Sequence, residues 1–384
     1  MNDPIIHGHV DEGFGPVRDA LTEQLASGEE VGAAIAVDID GETVVDIWGG
    51  HRDGAKILPW ERDTIVNVWS TTKEITALAI LVLVERGQVD LHAPVATYWP
   101  EFAQNGKSAI EVRHVMAHTS GVSGWDQPFD LTDMYDWDKA VEHLARQAPW
   151  WEPGTASGYH AQNQGHLLGE IVRRVTGKHL KDFVAEEIAG PLGVDLRIGA
   201  GPDDDDRIAE VIPPPPTRID VAALPTDSPM FKTFTGPPAS AAAANTIAWR
   251  RADLGALNAH SNARALARTM SVISRGGTVD GVNLLSARTI DHIFDEQARG
   301  DDLVLGVPLR WGIGFGLPEP VTVPALPDER ICFWGGWGGS VTVMFPLRKM
   351  TVSYVMNKMA PGIIGSDRSD AYLRAVLAST PPSP

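Results

Sequence analysis

Trp69-Ser70-Thr71-Thr72-Lys73-Glu74-Ile75-Thr76-Ala77-Leu78-Ala79-Ile80 is the stretch on which the reading of this chain turns. Beyond Lys73 it is apolar on nearly every side as far as Val84, as in a fully buried helix, and Gly87 is placed to end it. Ser70 then falls in the first turn, with Lys73 one turn later on the same face. The positive end of the helix dipole stabilises an oxyanion beside Ser70, whose backbone N–H is free to donate. The same field, with burial, disfavours a charged ammonium and lowers the pKa of Lys73 toward that of a usable general base. A serine with a positioned amine is one variant of nucleophile-plus-base chemistry. The bland alternative for Ser-x-x-Lys is a capping serine followed by a snorkelling lysine. Here the pattern occurs once, at the start of a buried helix, and no Gly-x-Ser-x-Gly elbow competes with it.

Outward from this helix, strands gather at the two ends of the chain. Ala33–Val37 and Val44–Trp48 flank a turn at Asp40-Gly41, and Val341–Phe345 and Met350–Met356 flank a turn from Pro346 to Lys349. Helical spacing is expected from about Asp11 to Ala26, in Val112–Ala117, Trp137–Gln147 and His166–Val175, and in a closing helix from Asp367 to Ser379. The fold class is therefore α/β in the α+β sense. A mostly antiparallel sheet built from both chain ends (1–89 and 260–384) carries an inserted, mainly helical domain (90–259). Residues 203–238 are too rich in Pro and Asp for regular structure; they are either a solvated excursion or part of a pocket wall.

The formal charge of −18 and the lack of a Lys/Arg-rich stripe exclude a phosphate-backbone partner. Cys332, the single cysteine, lies in an apolar run and reads as a buried structural thiol. Met1-Asn2-Asp3-Pro4 has neither a basic segment nor an apolar core, and the longest apolar run, Ala77 to Val84, is far short of the roughly 20 residues that span a bilayer. The expectation is a cytoplasmic protein with no membrane partner. His114 and His118 have the i, i+4 spacing of metal ligands, but no third ligand or flanking glutamate accompanies them, so no metal is expected.

Further motifs give the chain a family resemblance over nearly its whole length. Arg86-Gly87-Gln88-Val89-Asp90-Leu91-His92-Ala93-Pro94-Val95 follows the helix, and His114-Val115-Met116-Ala117-His118-Thr119-Ser120-Gly121 comes next. Then come Glu152-Pro153-Gly154-Thr155-Ala156-Ser157-Gly158-Tyr159-His160-Ala161 and Phe333-Trp334-Gly335-Gly336-Trp337-Gly338-Gly339-Ser340. With Ser70 and Lys73, these segments resemble the serine β-lactamase and penicillin-binding superfamily, in particular its ester-hydrolysing branch, the family VIII carboxylesterases. The resemblance implies that Tyr159 faces Ser70 and shuttles protons. Ala161 departs from the Tyr-x-Asn pattern of lactamases, which removes an amide-recognising side chain. Trp334-Gly335-Gly336 stands where lactamases and peptidases carry Lys-Thr-Gly, and matches the esterase form; its glycines suit a strand edge that substrate must approach. The resemblance also implies that Trp337 supplies the second oxyanion N–H beside that of Ser70.

The resulting expectation is a cofactor-free serine carboxylesterase acting on small-molecule esters. Ser70, Lys73 and Tyr159 are catalytic, the N–H groups of Ser70 and Trp337 form the oxyanion hole, and Trp334, Gly335, Gly336 and Trp125 contact substrate. Short, uncharged acyl esters are favoured, since an indole at Trp334 offers no cation for a carboxylate. A β-lactamase or D-peptidase, or an acyltransferase using the same acyl-enzyme, would use the same residues. A binding protein that kept the fold and lost catalysis is disfavoured by the intact reactive positions.

Overall fold

The computed structural model describes residues 4–215 and 223–380. Its frame is a nine-stranded antiparallel sheet, in spatial order Ile6–Val10, Glu42–Gly50, Gly32–Ile39, Met350–Met356, Val341–Phe345, Cys332–Gly335, Gly316–Leu317, Pro308–Trp311 and Ala298–Asp301. The two chain ends meet at its centre, where Met350 opposes Ile39 and Met356 opposes Ala33. The first hairpin closes at Asp40 and Gly41, whose φ angles of 52° and 96° are those demanded by a tight two-residue turn. Both central strands are buried along nearly their whole length, because helix Ala263–Ser274 packs on them. Helices Gly15–Ser27 and Asp367–Ala378 pack on one another.

Thr72–Glu85 is the buried helix expected from the apolar run, with Thr72 to Leu83 all inaccessible. It lies against helix Gln164–Thr176 and the strand Cys332–Gly335. A second, three-stranded sheet of Val66–Asn67, Ala259–Ser261 and Leu196–Ile198 leads into it. Among the described residues no helix is long and apolar enough to cross a membrane.

Three expectations need correction. The first helix begins at Gly15 rather than near Asp11, with a proline in its first turn fixing the start. The strands Ile6–Val10 and Ala298–Leu317 are additional to the two hairpins; the first is largely exposed and the others are only two to four residues long, so neither carries a strong alternating pattern. Within 203–238, Pro202–Arg207 forms 3-10 turns and Pro229–Thr235 a short helix; 216–222 lie outside the described residues. In the turns the acids are paired, Asp204 with Arg197 and Arg207 and Asp205 with Arg251 at 2.6 Å, and the short helix is capped by Ser228, with Pro229 in its first turn.

The C-terminal helix is tied to the rest by a buried ion pair. Arg368 donates to Glu30 Oε2 at 2.7 Å, to the carbonyls of Glu29 and Lys358 at 2.8 Å, and to that of Gly338 at 3.3 Å. The hydroxyls of Tyr354 and Tyr372 both donate to Glu30 Oε1. Burial nonetheless pushes the Glu30 carboxyl up to about 7. Arg368→Met strands this carboxyl and frees three carbonyls, so it should cost about 3 kcal/mol or more. Urea melts of the variant check this, with Glu30→Gln expected to be milder because it keeps hydrogen-bonding capacity.

Candidate active site

Ser70 does not sit in the α-helix itself but in the single 3-10 turn Trp69–Thr71 that precedes it. Trp69 holds φ = 50°, a left-handed conformation that costs a bulky residue on the order of 1–3 kcal/mol. Its ring is held between Trp249 and Trp337, with centroids 5.3 and 5.2 Å away. The turn is tied into the small sheet by the N–H of Val68 to Ala259 O (2.9 Å), and by the N–H of Ala259 to Thr72 Oγ1 (2.9 Å).

Lys73 is 2 % exposed. Its Nζ lies 3.0 Å from Ser70 Oγ, 2.8 Å from Ala161 O and 3.0 Å from Ala256 O. No carboxylate pairs with it among the described residues, and burial holds its pKa well below the usual lysine value. A neutral amine has two N–H donors and one lone pair. The two carbonyls can only accept, so they take the two hydrogens and leave the lone pair facing the Ser70 hydroxyl. Such an amine can take the serine proton.

Tyr159 reaches the same point from an irregular segment ahead of helix Gln164–Thr176. Its ring lies beneath Lys73, with Nζ 4.8 Å from the centroid. Its Oη accepts the Trp334 indole N–H at 3.0 Å. It also approaches the Ser70 side chain, though no well-aligned hydrogen bond joins them. Burial pushes the phenol pKa well above its ordinary value, more than the Ser70 and Trp334 contacts lower it. His118 packs edge-on to the Tyr159 ring at 4.9 Å, and Trp311 lies parallel to it at 6.1 Å.

The strand Cys332–Gly335 and the turn after it close the site. The Trp334 backbone N–H donates to Glu74 Oε1 at 2.8 Å, so consecutive residues of one helix hold Ser70 and the Trp334 strand. Burial pushes the Glu74 carboxyl well up, which favours its neutral form. A Cβ at Gly336 would stand 2.3 Å from both Val68 O and Ser340 Oγ, so only glycine lets this turn lie against the nucleophile turn. Ser340 Oγ donates to Val68 O at 2.9 Å and lies 3.1 Å from Thr71 Oγ1. The N–H groups of Gly336, Gly338 and Gly339 all have backbone acceptors, whereas that of Trp337 has none among the described residues.

Ser70, Lys73, Tyr159 and Trp334 are thus brought together, with Gly335, Gly336 and Trp337 packed alongside. Trp125 is not among them. It is fully buried, donates to Ala140 O at 3.0 Å and stacks on Phe129, which makes it a core residue rather than a substrate contact. Trp334 also needs correction as an open pocket wall: it is 2 % exposed, packed on Trp311 at 4.5 Å, and its single N–H is committed to Tyr159. His114 accepts the Glu111 N–H at 3.1 Å, while His118 is turned into the core behind Tyr159. Among the described residues no group of three or more His, Cys, Asp or Glu side chains could hold a metal ion. Cys332 is buried and its thiol pKa is pushed up.

The carbonyls of Ala161 and Ala256 were not legible as site groups, because a backbone acceptor leaves no residue signature. Ser340 stands directly after the glycine run and was within reach of sequence reasoning.

Residues 17–378 match the family described as Beta-lactamase. The esterase/beta-lactamase LipL of Mycobacterium tuberculosis is 33% identical over 375 residues, covering 95% of this chain and 86% of that protein. The esterase EstB of Burkholderia gladioli is 33% identical over 195 residues, 46% of this chain and 49% of its own length. Among solved structures, a family VIII carboxylesterase superposes with a TM-score of 0.91 at 37% identity, covering 98% of this chain and all of that one. A penicillin-binding protein homologue from Caulobacter crescentus does so with a TM-score of 0.90, also at 37% identity and the same coverage. With a family match across almost its full length and a relative of this extent, the chain belongs to the beta-lactamase family.

Proposed function

We propose that the protein is a serine carboxylesterase that works through an acyl-enzyme on Ser70. The observation that carries the reading is the convergence in one desolvated site of Lys73 Nζ on Ser70 Oγ and the Trp334 indole on Tyr159 Oη, with Nζ 4.8 Å from the Tyr159 ring. The likeness to proteins named as esterases supports ester hydrolysis as the reaction.

In this reading Ser70 Oγ attacks the ester carbonyl carbon while its proton passes to the neutral Lys73 amine. The carbonyl oxygen becomes an oxyanion between the N–H groups of Ser70 and Trp337, the latter having no competing acceptor among the described residues. Tyr159, kept protonated by burial, gives its proton to the departing alkoxide as the C–O bond breaks, and recovers one from the Lys73 ammonium. Water then attacks the acyl carbon, Lys73 takes its proton, and collapse releases the carboxylic acid and returns a proton to Ser70. No cofactor enters these steps, and the enzyme is taken to act in the cytoplasm on small molecules.

Short, uncharged acyl esters fit this site best. Apart from Lys73, no arginine or lysine hydrogen-bonds to Ser70, Tyr159 or Trp334 among the described residues. The Trp334 indole N–H, committed to Tyr159, offers a substrate carboxylate neither charge nor a free donor at that position, which disfavours penicillins and cephalosporins.

Lys73→Ala and Tyr159→Phe should each lower kcat on nitrophenyl butyrate by about 100-fold or more, the scale of losing a proton-transfer partner. The double variant should be little worse than the worse single one, since the residues act as a unit; multiplicative losses would argue for separate roles. Across a nitrophenyl ester series, kcat/KM should be highest for short acyl chains. Hydrolysis of a chromogenic cephalosporin should be weaker by orders of magnitude, and equal rates would place the enzyme with the lactamases.

A further inference from the structure

Tyr159 stands in a stretch with no regular secondary structure, with bare backbone at 157–160 and a turn at 161–163. A side chain on such a segment holds a fixed position only if its own backbone is tied down. Two of the ties run to the loop after the His114 helix: Gly158 N–H donates to His118 O at 2.9 Å, and His160 N–H to His118 Nδ1 at 3.0 Å. The N–H of Tyr159 itself donates to Asp302 Oδ1 at 2.9 Å, a partner 143 residues further along the chain.

Asp302 begins the connection between the strands Ala298–Asp301 and Pro308–Trp311, at the far edge of the large sheet. It is 1 % exposed. Its Oδ1 also accepts the N–H groups of Val304 and Leu305, each at 3.0 Å, so the carboxylate is fixed by the turn it caps. The turn is closed by Asp302 N–H to Val307 O (3.0 Å) and Gly306 N–H to Asp302 O (2.8 Å). Leu303 N–H donates back to Ser157 O at 2.9 Å, so the two segments are stitched by hydrogen bonds in both directions. Trp311, on the next strand, supplies the ring parallel to Tyr159. The connection thus carries the backbone anchor of the tyrosine, and the strand it leads into carries the ring parallel to the phenol.

We propose that Asp302 is a positioning residue for Tyr159, accepting its backbone N–H and so fixing the phenol between Ser70 and Trp334. The inference rests on Tyr159 being the proton donor of the ester reaction. All three hydrogen bonds go to one oxygen, and Oδ2 has no partner among the described residues. An asparagine can therefore take over the anchoring role through its amide oxygen, at some cost in stability for the buried NH2. An alanine cannot.

The test compares D302A, D302N, Y159F and D302A/Y159F on nitrophenyl butyrate, with kcat and KM measured separately and folding followed by thermal melts. D302A should lower kcat by about 10- to 100-fold, the scale of misplacing a reacting group by about 1 Å, and leave KM within about two-fold. D302N should keep kcat within about three-fold of wild type. In the Y159F background, D302A should cost less than about two-fold further, because the group it positions is gone. A folded D302A with normal kcat, a loss confined to KM, or a full multiplicative loss on top of Y159F would overturn the role of Asp302 alone. Near-normal kcat in Y159F would instead remove the tyrosine's own role, and this proposal with it. Where D302A fails to fold, D302N decides: retained kcat upholds the anchor, and a loss approaching that of Y159F overturns it.

Discussion

Everything at the centre of this molecule depends on an amine held out of water. Lys73 has no counter-ion among the described residues, and its environment supplies two carbonyl acceptors and one hydroxyl. Burying an unpaired ammonium is expensive, and a lysine escapes that cost by giving up its proton. The acceptor set matches what remains: two hydrogens for Ala161 O and Ala256 O, and a lone pair for Ser70. The fully buried helix and the Tyr159 ring, 4.8 Å from Nζ and itself covered by Trp311 and Trp334, shield this amine.

The arrangement explains why distant parts of the chain are drawn to one spot. Helix Thr72–Glu85 brings Lys73 and Glu74, which face different partners, and Glu74 holds the Trp334 backbone. Gly336 and Ser340 press the turn after strand Cys332–Gly335 onto Val68 and Thr71. The strained Trp69 is wedged between Trp249 and Trp337, so the ring beside Ser70 touches the residue whose N–H has no acceptor among the described residues. Distortion next to a nucleophile persists only where surrounding packing over-determines it, and here the Trp249 and Trp337 rings do so.

Much of this was legible in the sequence, for identifiable reasons. The buried helix was readable because Ala77 to Val84 is apolar all round, and the two hairpins because their strands are long and their turns short. Tyr159, Trp334 and Trp337 came from motif resemblance, not from periodicity. Trp125 was misplaced because a tryptophan near a site motif looks the same in sequence whether it lines a pocket or fills the core. That the Trp334 indole is committed was not readable because its partner, Tyr159, lies 175 residues away. The short strands between Ala298 and Leu317 escaped because two to four residues cannot display an alternating pattern.

The protonation state of Lys73 tests the account most directly. Lysine labelled with 13C at Cε gives each side chain a chemical shift that reports whether its amine is charged, and comparison with Lys73→Ala assigns the resonance. The account predicts that Lys73 passes from amine to ammonium well below the ordinary lysine value of about 10.4, because burial disfavours its charged form. A Lys73 resonance that stays that of an ammonium to pH 9 and above would contradict it, and Ser70 would then need a different base.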